Sequence, residues 1–143
     1  WVTLADVSPN ALRVAKQNAA QFGPRVSCIQ ADALQPAPAL LKNYDILVSN
    51  PPYITNADME ALPDSVKNYE PDLALRGGED GLDFYRIIVK EAKNHLNPNG
   101  MLLFEIGYNQ GEALKELMKD DFKNVRVIKD YGNNDRVVIG ELL

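Results

Sequence analysis

The tetrapeptide Asn50-Pro51-Pro52-Tyr53 brings together groups that could hold a planar NH2 group. The Asn50 side-chain oxygen and the Pro51 carbonyl can each accept one N–H, and the Tyr53 ring can stack on the plane. Two consecutive prolines stiffen the backbone that carries these groups. The simpler interpretation is a Pro-Pro turn that closes a strand. We predict catalytic roles for Asn50, Pro51 and Tyr53, with Pro52 beside them in the substrate site.

Three predicted strands each end near a polar side chain that can accept hydrogen bonds. Asn50 follows the apolar run 44–49, Asp6 ends the run 2–6, and Asp32 comes shortly after the run 26–30. In open α/β sheets, ligands bind beyond the carboxyl ends of the strands. Asp6 could accept hydrogen bonds from two ribose hydroxyls, as in dinucleotide folds, or it could simply cap the next helix. Asp32 could accept from an adenine amine, or it could form a turn.

The predicted elements alternate between strands and helices along most of the chain. The alternation favours an α/β fold with a largely parallel sheet, and the short turn at 132–134 makes the last pair of strands antiparallel. We predict strands at 2–6, 26–30, 44–49, 101–106, 125–129 and 136–142, helices at 9–22, 82–96 and 110–118, a loop or short helix at 36–41, a long functional loop at 50–80 and a turn at 97–100.

Length and composition set bounds on the class of protein. At 143 residues, with 45% hydrophobic and 24% charged residues, a single globular domain is expected. The net charge of −5 argues mildly against a nucleic-acid partner. Cys28 is the one cysteine, and His95 is the one histidine and lacks spaced ligand partners, so neither a disulfide nor a metal site is expected. Without a long apolar run or signal peptide, we expect a cytoplasmic protein with no membrane association.

Several blocks of the sequence, taken in order, resemble one enzyme family. The blocks are Asn50-Pro51-Pro52-Tyr53-Ile54, Glu70-Pro71 with Ala74-Leu75, residues 77–82 with Tyr85-Arg86, Phe104-Glu105-Ile106-Gly107, and Asp135-Arg136-Val137-Val138. Together they are similar to the glutamine methyltransferases that modify peptide-chain release factors, and the resemblance runs along essentially the whole chain.

This resemblance implies a Rossmann-like class I methyltransferase fold, with S-adenosylmethionine as the cofactor. It implies N5-methylation of the glutamine side-chain amide in the Gly-Gly-Gln loop of release factors, which would be the protein partner. It also implies roles for particular residues. Those implied to bind the cofactor are Asp6, Val7, Asp32, Ala33 and Asn50, and those implied to bind the substrate are Asn50, Pro51, Pro52, Tyr53 and Glu105. Glu105 could orient Asn50 or the substrate, or it could be a structural carboxylate.

One departure from the family pattern concerns the beginning of the chain. The family's catalytic domain starts with a strand and a glycine-rich loop that cradles the methionine part of the cofactor, after a helical N-terminal domain. This chain starts at Trp1, in what should be the second strand. We therefore expect an N-terminally truncated catalytic domain over residues 1–143. Such a chain should self-associate or be part of a longer molecule, because unpaired central strand edges are sticky. Alone it should bind the cofactor weakly, because Asp6 and Asp32 would hold only its nucleoside end.

Three other functions remain open from the sequence. An adenine-N6 methyltransferase acting on nucleic acid could use the same grip on an exocyclic amine, after flipping the base out of the stack. A glutamine methyltransferase acting on ribosomal proteins would carry the same tetrapeptide. A catalytically silent fragment would keep only the fold.

Overall fold

The computed structural model describes residues 1–35 and 43–143. The chain divides into two compact units, Trp1–Lys42 and Asn43–Leu143, and each has its own sheet. The segment 36–41, predicted as a loop or short helix, lies outside the described residues.

The first unit is a strand–helix–strand arrangement. It contains β1 (Val2–Asp6), α1 (Pro9–Ala19), a 3-10 helix (Ala20–Arg25) and β2 (Val26–Gln30). The Ser8 hydroxyl caps α1 by accepting from the Ala11 N–H at 3.3 Å, and Pro9 takes the first helical position, where its missing N–H costs nothing. The two strands pair in parallel with Asp6 opposite Gln30. Their carboxyl ends therefore lie at the same edge, as the sequence predicted.

The second unit is a four-stranded mixed sheet with helices between its strands. Its strands run in the order β3-β4-β6-β5; β3 pairs in parallel with β4, whereas β4 with β6 and β5 with β6 pair antiparallel. The antiparallel pairing of the last two strands is confirmed. The elements are β3 (Tyr44–Ser49), α2 (Asn56–Ala61), α3 (Asp64–Lys67), a 3-10 helix (Asp72–Ala74), α4 (Asp83–Ala92), β4 (Leu96–Glu105), α5 (Gly111–Met118), β5 (Phe122–Lys129) and β6 (Asp135–Leu142).

Two predicted boundaries around α4 and β4 were wrong. The helix predicted to reach residue 96 ends at Ala92, and the turn predicted at 97–100 is part of β4. Tyr44 pairs with Leu96 and Ile46 with Met101, so β4 carries three extra residues between these pairs. Asn99 lies there with a φ of 61°. The turn-forming residues thus make an irregularity inside a strand, which turn chemistry alone does not distinguish from a true turn.

The segment predicted as a long loop, residues 50–80, contains α2, α3 and one 3-10 helix. The prediction was wrong about local structure because these helices span only three to six residues each, too short to show helical periodicity. The Thr55 hydroxyl accepts from the Asp58 N–H at 3.0 Å and caps α2. The segment is therefore a folded connection, and its first helix is capped by a side chain.

The core of the second unit lies between α4, α5 and the sheet. Its fully buried members share apolar side chains and include Tyr85, Leu102, Phe104, Ile106, Leu114, Met118 and Val138. Tyr85 and Phe104 meet edge to face with ring centroids 5.1 Å apart. Among residues 1–35 and 43–143, no helix combines the length and apolar character needed to cross a bilayer.

Candidate functional site

The tetrapeptide lies where the sequence predicted, immediately beyond the carboxyl end of β3. Ser49 pairs with Phe104 of the parallel strand β4, so Asn50 and Glu105 follow paired residues at the same edge of the sheet. This register puts an amide and a carboxylate at the edge where open α/β sheets bind ligands.

Asn50 and Pro51 keep two hydrogen-bond acceptors available. Asn50 is exposed, whereas Pro51 is buried and anchors the backbone. Within the described part of the chain, no hydrogen bond engages either the Asn50 side chain or the Pro51 carbonyl. Two free acceptors on adjacent residues suit a group with two N–H hydrogens.

The backbone of Pro52 and Tyr53 is held by close contacts with a glycine-rich turn. A Cβ on Gly77 would lie 2.7 Å from the Tyr53 Cα and 2.8 Å from the Pro52 oxygen. A Cβ on Gly81 would lie 2.3 Å from the Tyr53 oxygen, and Gly81 has a φ of +75°. Because these neighbours are backbone atoms, any larger side chain would have to push the tetrapeptide away. The turn thus requires glycine at both positions for close packing.

The Tyr53 ring is half-buried and packs against the main core. Its Cδ2 atom lies 3.4 Å from where a Cβ on Gly107 would be, so the ring lies close to the segment that follows β4. Contact with the core restricts the ring's rotation, as stacking on a bound planar group requires.

Gln110, predicted from the sequence only as the start of a helix, is buried. Its Oε1 accepts from the Gly107 N–H at 2.8 Å, and its Nε2 donates to the oxygens of Tyr53 at 3.3 Å and Gly81 at 3.2 Å. Local pattern could not reveal these contacts, because two of them join residues 29 and 57 positions apart.

Glu105 lies beside a buried tyrosine. The Tyr85 hydroxyl donates to the backbone oxygen of Glu105 at 2.8 Å. Burial raises the pKa of Tyr85, and the neighbouring Tyr53 and Glu105 add to the rise, so the phenol stays protonated and keeps donating. The half-buried Glu105 side chain makes no hydrogen bond within residues 43–143. Its role, whether orienting or structural, stays a prediction.

Asp135 and Arg136, at the start of β6, form ion pairs with two different residues. Asp135 pairs with Lys129 at 2.8 Å, while Arg136 pairs with Asp130 at 3.1 Å. Consecutive residues of a strand point to opposite faces, which separates their side chains. Arg136 also donates to the Ile106 oxygen at 3.2 Å, so it ties the β5–β6 turn to the end of β4.

The first unit carries the predicted nucleoside-binding carboxylates at its own sheet edge. Asp6 Oδ1 accepts from the Ser8 N–H at 2.8 Å, and Asp32 Oδ1 accepts from the Leu34 N–H at 2.9 Å. The Asp6 backbone oxygen accepts from the Ala31 N–H at 3.1 Å, which joins the two loops. Within the described residues, neither Oδ2 atom has a hydrogen-bond partner. Each carboxylate thus shapes its loop with one oxygen and presents the other.

Apolar side chains flank these carboxylates. Val7, next to Asp6, is 40% exposed, and Leu34 is 43% exposed. Ala33, which lies between Asp32 and Leu34 in the sequence, is also exposed. Exposed apolar groups next to free carboxylate oxygens match what a nucleoside presents, a flat base and polar hydroxyls. Over the same described residues, no group of three or more potential metal ligands occurs.

Comparisons with known proteins agree with this arrangement. The family model described as a methyltransferase domain matches residues 1–139. The chain is 41% identical over 143 residues to a release factor glutamine methyltransferase from Bacillus cereus, covering 99% of this chain and 50% of that protein. A relative of the same name from Moorella thermoacetica is 45% identical over 139 residues, covering 94% of this chain and 48% of its own. The chain therefore spans about half the length of the relatives it matches.

A solved structure shows the same fold. It is the release-factor-specific protein-(glutamine-N5) methyltransferase from Alicyclobacillus acidocaldarius, with a TM-score of 0.55 and 24% identity. The match covers 99% of this chain and 78% of that one. The family model and the relatives confirm the predicted family resemblance, and the solved structure confirms the methyltransferase fold, whereas the predicted absence of a first strand stays a prediction.

Proposed function

Because this chain belongs to the methyltransferase domain family and resembles release factor glutamine methyltransferases along almost its whole length, we propose that it is the catalytic part of such an enzyme. The substrate would be the side-chain amide of the glutamine in the Gly-Gly-Gln loop of a release factor, and the product its N5-methyl derivative. The observation that carries the proposal is the pair of free acceptors on Asn50 and Pro51, at the carboxyl end of β3.

The tetrapeptide suits an amide substrate in a particular way. An amide nitrogen is a poor nucleophile because its lone pair is delocalised into the carbonyl. Asn50 and the Pro51 carbonyl would each accept one N–H of the substrate, which fixes the direction of the lone pair and stabilises positive charge that develops on nitrogen. The Tyr53 ring would cover the amide plane and favour that charge through its π face. Neither acceptor needs to act as a strong base, because the nitrogen becomes acidic once alkylated.

The first unit has residues that fit the cofactor of this family. S-adenosylmethionine, when bound, supplies an activated methyl group on a sulfonium. The free Oδ2 of Asp6 would accept from the ribose hydroxyls, and that of Asp32 from the adenine amine. Val7 and Ala33 would contact the nucleoside through their exposed apolar surface. The carboxylates therefore provide the acceptors that a nucleoside requires.

Replacing Asp6 should weaken binding of S-adenosylmethionine to the full-length protein. Asp6→Ala removes a charged acceptor of two hydrogen bonds, so we expect a loss of about 2–4 kcal/mol in binding free energy, measured by calorimetry. Asp6→Asn is the sharper variant, because its side-chain oxygen still accepts from the Ser8 N–H while the charge is lost. We expect it to weaken binding while preserving the melting temperature. If both variants bound S-adenosylmethionine with unchanged affinity, the role of Asp6 would be only to shape its turn.

The function itself is tested by offering different substrates to the full-length protein with labelled S-adenosylmethionine. We expect label in a release factor, and none in DNA or in ribosomal proteins. The names of the relatives favour a release factor over the other two substrates, and the net charge of −5 gives no electrostatic attraction to DNA. Transfer to DNA alone would overturn the proposal. We also propose a cytoplasmic location, because the enzyme would encounter a release factor there.

A further inference from the structure

The side chain of Gln110 joins three separate segments around the substrate grip. Its Oε1 holds the Gly107 N–H just beyond β4, and its Nε2 holds the Tyr53 and Gly81 oxygens. The side chain is almost completely buried, with the residue 7% exposed. A buried amide that uses both ends in this way fixes the relative positions of its partners, because losing any one bond would leave a buried polar group unsatisfied.

We propose that Gln110 is a positioning residue for the methyl-transfer reaction, acting through the backbone of Tyr53. This inference rests on the proposed function of the Asn50–Tyr53 tetrapeptide. Within the described residues, the Asn50 side chain and the Pro51 carbonyl have no hydrogen bond, so the backbone contacts of Pro52 and Tyr53 help to set where these two acceptors lie. Gln110 supplies the one side-chain hydrogen bond to that backbone among residues 43–143.

The orientation of the Gln110 amide follows from its partners. The Gly107 N–H requires an acceptor, and the two carbonyl oxygens require a donor, so only one flip state satisfies all three. Gln110→Glu keeps the acceptor for Gly107 but presents a carboxylate oxygen to the two carbonyls. Gln110→Met keeps the length of the side chain but removes both the Oε1 acceptor and the Nε2 donor. The pair of variants separates the role of the donor end from that of the acceptor end.

The test combines kinetics and hydrogen exchange in the full-length protein. We expect both variants to lower kcat by about 10- to 100-fold, the scale of a small misplacement of reacting groups, while the Kd for S-adenosylmethionine stays within about twofold. Amide exchange at Gly107 should speed up in Gln110→Met and stay slow in Gln110→Glu. Gln17→Glu, at an exposed position of α1, is the control for the charge change and should match the wild type. Wild-type kcat in both folded variants would overturn the inference.

The wild-type protein offers a measurement that does not depend on variants or on turnover. The side-chain NH2 protons of Gln110 should exchange at least about tenfold more slowly than those of Gln17, because they are buried and hydrogen-bonded. Equal rates would overturn the positioning role even if the variants failed to fold. If the wild type did not methylate a release factor, the proposed function would fail, and this exchange rate would still decide whether Gln110 holds the Tyr53 backbone.

Discussion

Asn50→Ala in the full-length protein should lower the kcat for methylation of a release factor by about 100-fold or more. The variant removes one of two acceptors that hold the substrate amide, and loss of one such preorganised contact costs about 2.7–4 kcal/mol in other enzymes. The fold should survive, because Asn50 is exposed and makes no hydrogen bond within the described residues. The effect should appear in single-turnover measurements, where product release does not contribute.

The matched control for this variant is Asn43→Ala. Asn43 is an exposed asparagine at the opposite end of β3, away from the candidate site. It should keep wild-type turnover and the same melting temperature as Asn50→Ala. Near-normal kcat in a folded Asn50→Ala protein would show that the amide is not held by this side chain, and the tetrapeptide would then be no more than a turn.

Gly81→Ala should lower the free energy of unfolding by about 2–5 kcal/mol and reduce kcat together with it. A φ of +75° costs an alanine about 1–2 kcal/mol, and overpacking against well-packed neighbours adds about 1–3 kcal/mol. The new Cβ would lie 2.3 Å from the Tyr53 oxygen, so relief of the clash must move the tetrapeptide. Denaturant unfolding measures the first effect, and kinetics of the remaining folded protein measure the second.

Gly23→Ala separates backbone strain from the clash. Gly23 also has a positive φ of +68°, with a ψ of −153°, but among the described residues no atom outside its chain neighbours lies within 4 Å of the position of its Cβ. It should therefore show only the backbone cost of about 1–3 kcal/mol for a conformation that is nearly restricted to glycine, with turnover unchanged. Equal losses of stability and activity in the two variants would mean that the contact between Gly81 and Tyr53 has no importance for the site.

The sequence predicted the strands that carry the site because each combines an apolar run with a distinct stop signal. The runs ending at Asp6 and Ser49 match their observed strands, and Ser8-Pro9 marks the start of α1 as predicted. The turn-forming residue types at 97–100 led to a wrong prediction, because this segment lies inside a paired strand. Asn97 to Gly100 form an irregularity inside β4, between Leu96 and Met101, which both pair with β3, although their residue types favour a turn.

The sequence predicted the positions of those site residues that are marked by their sequence neighbours, and missed those that depend on distant contacts. Asp6 ends β1 and Asn50 immediately follows β3, so their position at a sheet edge follows from the sequence alone. Gln110 and Gly81 depend on contacts between distant parts of the chain, since Gln110 meets Tyr53 across 57 positions. The partners of Asp135 and Arg136 were likewise set by the β5–β6 hairpin, not by adjacency. Local spacing has no information about such contacts.

We propose above all that this protein holds the NH2 group of a glutamine side chain. The most direct measurement maps the methylated atom by fragment mass spectrometry, after incubation of the full-length protein with S-adenosylmethionine and a release factor. A second release factor, with glutamate replacing the loop glutamine, has no NH2 group to grip. We expect one methyl group on the side-chain nitrogen of the loop glutamine and none on the glutamate variant. Methylation of both factors, or of a different residue, would contradict it.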